Sequence, residues 1–159
     1  MLTVNYLQYD PLDLTTKIIS KEILNFKGKP HELLEIWANT FGLGIQGSQS
    51  AFKHRLAIRQ KIPVLIDPYR QIYFFPTQSP TVRECLWVNA SQIKDIKSSG
   101  IHSIIRFKDG SCLKTGIGRR SLMKQAQRCL AMEQLIQQAH LIACLPFLTL
   151  APEPNHVKG

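Results

Sequence analysis

The sequence predicts an α+β domain: an antiparallel β-sheet or partly closed barrel with a short N-terminal helix and a long C-terminal helix. Three observations carry this. Between residues 63 and 115, short apolar and aromatic runs alternate with turns containing Pro, Gly and Asp, the pattern of hairpin-connected strands. Two stretches, 31–41 and 119–143, instead space their apolar residues for a helix. The 159 residues hold no internal repeat and suit one domain, large enough to bury roughly two thirds of its unfolded surface. We expect that domain over 1–145 and an extended or disordered tail over 146–159, which three prolines interrupt.

Residues 14–26 mix β-branched and polar residues and read as a strand or hairpin before Gly28. Pro30 stands where a first helical position belongs; Leu33, Leu34, Trp37 and Phe41 follow at helical spacing, and Gly42 stops the helix. Residues 48–60 suit a short basic helix. PVLI (63–66), the turn Asp67-Pro68-Tyr69-Arg70 and QIYFF (71–75) form a hairpin. After the corner Pro76 to Pro80 come CLWVN (85–89), a strand near 92–97, and IHSIIRF (101–107), in which Ile101, Ser103, Ile105 and Phe107 share one face. Lys108-Asp109-Gly110 turns the chain into SCLKT (111–115), and the long helix closes the domain. The aromatics Trp37, Phe75 and Trp87 are expected in the core.

Charge points to a partner. The chain carries 20 Lys+Arg against 11 Asp+Glu, net +9, which favours a polyanion: nucleic acid first, an anionic membrane surface second. Residues 53–128 hold 15 of the basic residues against only Asp67, Glu84, Asp95 and Asp109, while the flanking segments are each net −1. Two clusters stand out: Lys53, Arg55, Arg59 and Lys61, then Arg119, Arg120, Lys124 and Arg128. Arg120, Lys124 and Arg128 recur every four residues and so line one helix face, with Leu122, Ala126, Cys129 and Leu130 pointing elsewhere. No acid within 119–132 pairs with them. Such a ridge repels itself, and bound phosphate relieves the repulsion while releasing counterions. Lys94, Lys97, Arg106, Lys108 and Lys114 are second-rank candidates on the hairpin strands.

Several chemistries find no support. The cysteines at 85, 112, 129 and 144 form no CxxC pair and have no close His partner, so neither a metal nor a cofactor is expected and the thiols read as reduced and mostly buried. Gly42 to Gly47 spells G-x-G-x-x-G but follows a helix rather than a strand, which makes it a helix stop. No catalytic residue emerges: the histidines at 31, 54, 102, 140 and 156 are scattered, and no G-x-S-x-G elbow or close carboxylate pair is present. An enzyme is not expected. The opening MLTVNYLQYD lacks a basic n-region and an apolar h-region, and Leu141 to Leu150 is too short to span a bilayer, so a cytoplasmic location is expected.

KIPVLIDPYRQIYFFPTQSP followed by ECLWVN, within 61–89, together with the hairpin Ile104 to Lys114 and the helix bearing Ser121, Leu122, Gln125 and Arg128, resembles the ComK family of bacterial competence transcription factors. The resemblance covers roughly residues 45–135. It implies a double-stranded DNA-binding activator that recognises A·T-rich promoter boxes largely through the minor groove, as a homodimer or tetramer, nucleoid-associated when bound. His54 stands where the family's basic turn has glycine, and the segment before Pro63 is short. In some relatives a C-terminal segment similar to Phe147 to Pro152 meets an adaptor for proteolysis, so this tail is a candidate adaptor site. A sequence-tolerant RNA or single-strand binder, stacking bases on Tyr69, Tyr73 or other aromatics, is the alternative.

Overall fold

A computed structural model describes residues 3–147. Three strands come first: β1 (Tyr6–Asp10), β2 (Thr15–Ile19) and β3 (Ile23–Lys27). Then α1 (Pro30–Thr40) and α2 (Ile45–Leu56) precede β4 (Val64–Asp67), β5 (Ile72–Pro76) and β6 (Leu86–Asn89). A short 3-10 turn leads to β7 (Ile93–Ser99), β8 (His102–Phe107) and β9 (Cys112–Thr115), and α3 (Arg119–Cys144) follows.

The strands form two antiparallel sheets. One has six strands in the order β3-β2-β1-β6-β5-β4; the other is β7-β8-β9. This corrects two expectations. The larger sheet ends at β3 and β4 without hydrogen-bonding its edges together, so no barrel closes. The helix over 30–40 is also not N-terminal, because three strands precede it. β1 sits mid-sheet, pairing Leu7 with Trp87 of β6 as well as with Ile18 of β2.

Side-chain alternation in the central strands explains their unbroken apolar runs. Ile72 and Phe74 of β5 join Val64, Ile66 and Trp87 against Leu33, Leu34 and Ala38 of α1. Tyr73 and Phe75 join Leu65 and Val88 on the other face, against Phe52 of α2, Ile105 and Phe107 of the small sheet, and Leu122, Cys129 and Met132 of α3. A strand covered on both faces has no polar side to show. Trp37 is half-buried against Phe74, with ring centroids 5.8 Å apart, while Phe75 and Trp87 are core residues as expected.

The proline corner is structural. Pro76 ends β5, and buried Thr77 donates its N–H to the Leu86 carbonyl and accepts the Leu86 N–H on Oγ1, at 2.9 and 3.0 Å. Ser103, Ile105 and Phe107 are buried on one face as the alternation predicts, but Ile101 lies in the β7–β8 turn and is exposed. Of the four free cysteines, Cys85 and Cys129 are buried, Cys144 is half-buried and Cys112 is exposed, so "mostly buried" holds for only half.

Candidate nucleic-acid interface

The first basic cluster is set by the end of α2. Buried Phe52 anchors that end edge-on to Tyr73, centroids 6.0 Å apart, which turns Lys53, His54 and Arg55 outward. Ala57 caps the helix at φ +53°, and Lys61 adopts φ +52° four residues on. Left-handed backbone costs a non-glycine residue about 1 kcal/mol, so the loop 57–61 needs holding at both ends. Buried Gln125 of α3 holds the Lys61 end and ties it to the end of β5. Its Nε2 donates to the carbonyls of Lys61 and Pro76, both at 2.8 Å. Arg128 adds Nη1 bonds to the Gln60 carbonyl at 3.1 Å and to Gln125 Oε1 at 2.9 Å.

This clamp brings the two sequence clusters together. Arg59, Lys124 and Arg128 line one open cleft between the loop and α3, with Gln60 and Gln127. Lys53 and Arg59 line an adjoining cleft with His54. The clefts share Ala57, Ile58 and Arg59, and no carboxylate lines either. Arg120 is exposed one turn before Lys124, and neither α2 nor α3 has an acid in its first turn. His54, Gln60 and Gln127 thus line these clefts beside the cations, although the count of Lys and Arg passed over them; Gln127 is signalled only by its position three residues after Lys124.

Other predicted residues have further roles or lie apart. Arg119 is exposed, yet its Nε donates to the Ile96 carbonyl at 2.8 Å and pins α3 to β7. Arg128, through Nη1, is partly committed to the loop. Arg55 is exposed on α2 outside both clefts, and Lys61 is half-buried. Lys97 and Lys114 face each other across Ile104 on the side of the small sheet turned away from the core. Arg106 shares that face but forms a two-nitrogen pair with Asp95, Nε lying 3.1 Å from Oδ2; this bonding holds the Asp95 carboxyl below its usual range. Glu84 lines the cleft beside Lys114. Lys94 and Lys108 are exposed at the strand ends. The unopposed charge thus gathers at the α2–α3 junction, while the small sheet carries a sparser, partly neutralised set.

Of the aromatics proposed for stacking, Tyr69 is exposed, whereas Tyr73, Phe74, Phe75 and Trp87 are buried. Burial pushes the Cys85 and Cys129 thiols up. His140 and Cys144 do face each other at 3.8 Å, but among the described residues no group of three or more His, Cys, Asp or Glu could hold a metal ion. No helix of the described residues is long and apolar enough to cross a membrane.

A family model described as "ComK protein" matches residues 1–140. The chain belongs to the ComK family. Its membership extends the resemblance beyond 45–135 to β1–β3 and α1, which carry none of the quoted motifs. A curated relative, the competence transcription factor of Bacillus subtilis (strain 168), is 26% identical over 117 residues, covering 72% of this chain and 61% of that protein. The chain therefore spans less than two thirds of the length of that ComK relative. No solved structure matches. The tail segment similar to the family's adaptor site lies, beyond Phe147, outside the described residues.

Proposed function

We propose that this ComK-family chain is a competence-type transcription regulator that binds duplex DNA through the cleft between α2 and α3. The reading rests above all on the convergence of Lys53, Arg59, Lys124 and Arg128 on adjoining clefts that no carboxylate lines. Arg120 extends the row along α3, and Lys53 and Arg55 extend it along α2. Lys97 and Lys114 are secondary backbone contacts. Phosphates fix the position of the protein, and A·T-rich boxes are selected by their narrow minor groove, where negative potential is deepest and arginine side chains fit. The chemistry is binding alone. The protein acts at the nucleoid as one DNA-binding domain per chain, as a homodimer or tetramer, and its tail serves a proteolytic adaptor.

The test is binding to an A·T-box duplex and to a scrambled G·C-rich duplex across a salt series. Contact with about 6–10 phosphates weakens affinity roughly 10³–10⁵-fold between 50 and 200 mM salt. Arg59→Ala and Lys124→Ala should each flatten the log–log salt slope by about 1. Equal affinity for the two duplexes would remove the groove readout, and a slope near zero would remove the DNA interface itself.

A further inference from the structure

The proline corner after β5 also builds a wall. Thr77 and Leu86 close its two ends, and between them the Val82 N–H donates to the Ser79 carbonyl at 2.9 Å and the Cys85 N–H to the Val82 carbonyl at 3.1 Å. Each turn leads into the next, so the segment 77–86 is braced along its length. Between this wall and the start of α1 is a cavity of about 430 Å³. Trp87 and Cys85, both buried, line its deep side, while Tyr9, Pro30 and Pro80 line it from β1, α1 and the corner.

The rim of this cavity is basic. Lys29 and His31 reach it from the start of α1 and Arg83 from the corner, and all three are exposed. Among the described residues, none of these side chains has an ion-pair or hydrogen-bond partner. No carboxylate lines the cavity. The acids nearest in sequence are engaged or face elsewhere. Glu32 Oε2 accepts the Lys29 N–H at 3.2 Å, Glu35 Oε2 accepts the Ile45 N–H at 3.0 Å, and Glu84 lines the neighbouring cavity beside Lys114. The α2–α3 clefts share no lining residue with this cavity.

We propose that this cavity binds a small organic anion, an aromatic carboxylate, at a site separate from the DNA interface. Concavities of roughly 300–1,000 Å³ with an apolar lining and a few placed polar groups are the usual receptacles of small ligands. The ring system lies on Trp87 between Pro30 and Pro80. Its carboxylate meets Arg83, whose planar guanidinium matches both oxygens, and Lys29 adds a second positive charge. The two halves of the cavity select this class together. A phosphodiester backbone has no use for a buried indole, and a neutral apolar ligand has none for basic groups without a counter-charge. The volume limits the ligand to a few rings. The proposal goes beyond the DNA reading and does not rest on it.

Proton–nitrogen correlation NMR on the full chain is the test, with naphthalene-2-carboxylate as probe and naphthalene-2-carboxamide as its neutral control. The chain has two tryptophans, and Trp37→Phe assigns their indole N–H signals. The Trp87 signal should shift saturably with the carboxylate, with a Kd of about 0.1–1 mM for so small a ligand. The carboxamide should bind at least about tenfold more weakly. Arg83→Gln and Lys29→Gln should each weaken the carboxylate about three- to tenfold and leave the rest of the spectrum in place, since both side chains are exposed and unbonded. Lys124→Ala should leave the titration unchanged. A Trp87 signal that does not move overturns the proposal, as does equal affinity for the carboxamide. So does wild-type affinity in both glutamine variants. Loss of binding in Lys124→Ala would overturn it too, by placing the anion in the α2–α3 cleft.

Discussion

Gln125 shows what one polar side chain in an apolar stripe can do. It stands between Leu122 and Cys129, buried, and joins three separate pieces: the loop at Lys61, the end of β5 at Pro76, and the Arg128 guanidinium. Gln125→Leu keeps the volume but takes the 2.8 Å donor from two inward carbonyls, leaving Lys61 only a longer bond from Arg128, a loss of about 2–3 kcal/mol. The check is the urea midpoint. Duplex binding should weaken as well, because Arg128 alone then fastens the loop bearing Arg59 to α3. Gln125→Glu should be no better, since it places a carboxylate against the same two carbonyls. A midpoint unchanged from wild type in both variants would show that the clamp does not stabilise the loop. The sequence displayed Gln125 as a polar residue at a core spacing, but not its partners. The same gap hid the second roles of Arg119 and Arg128, because the direction of a distant carbonyl leaves no trace in the spacing of side chains.

At the scale of elements, α3 is charged against its own stability. Arg119 and Arg120 occupy its first two positions, where the helix dipole is positive, and no acid offsets them. Arg120→Glu should therefore raise stability by about 0.3–1 kcal/mol through the dipole, while weakening duplex binding by removing a cation and adding an anion. Arg119→Ala should behave differently, lowering stability because the Ile96 carbonyl loses its donor. Thermal melts of the two variants beside their affinities separate the binding arginine from the anchoring one. A stability loss in Arg120→Glu would refute that division. Most elements from β4 to α3 were readable to within a residue or two, because proline, aromatic and turn residues mark them locally. β1 was not: YLQYD holds no β-branched residue to announce a strand, although Asp10-Pro11 marks the turn that ends it. Its place beside β6, some 80 residues later in the chain, depends on long-range register that local pattern does not encode. The sheet stays open, in place of a barrel, because its edge strands β3 and β4 do not pair.

For the whole molecule, the excess of positive charge that serves binding also sets a weakness in acid. Asp109 accepts from the Ser111 hydroxyl and N–H and from Asn5 Nδ2, tying the β8–β9 turn to the start of β1 and holding its carboxyl below the ordinary range. Asp95 is held down likewise by Arg106. Both therefore stay ionised in the folded protein at a pH where the unfolded chain binds a proton. Their contribution to stability is complete above about pH 4, the ordinary carboxylate value, and is lost as pH falls through the lower native values. Over the same interval the other carboxylates neutralise and leave 20 Lys+Arg and 5 His repelling one another. The urea midpoint should thus fall steeply from about pH 5 to about pH 3. Adding ~0.5 M of a weakly binding salt should recover the repulsive part, since screening then acts within a few ångströms, but not the part owed to Asp109 and Asp95. Asp109→Asn should start lower at neutral pH and fall less. A flat profile, or the same acid slope in Asp109→Asn as in wild type, would mean that Asp109 is not what ties the small sheet to the large one.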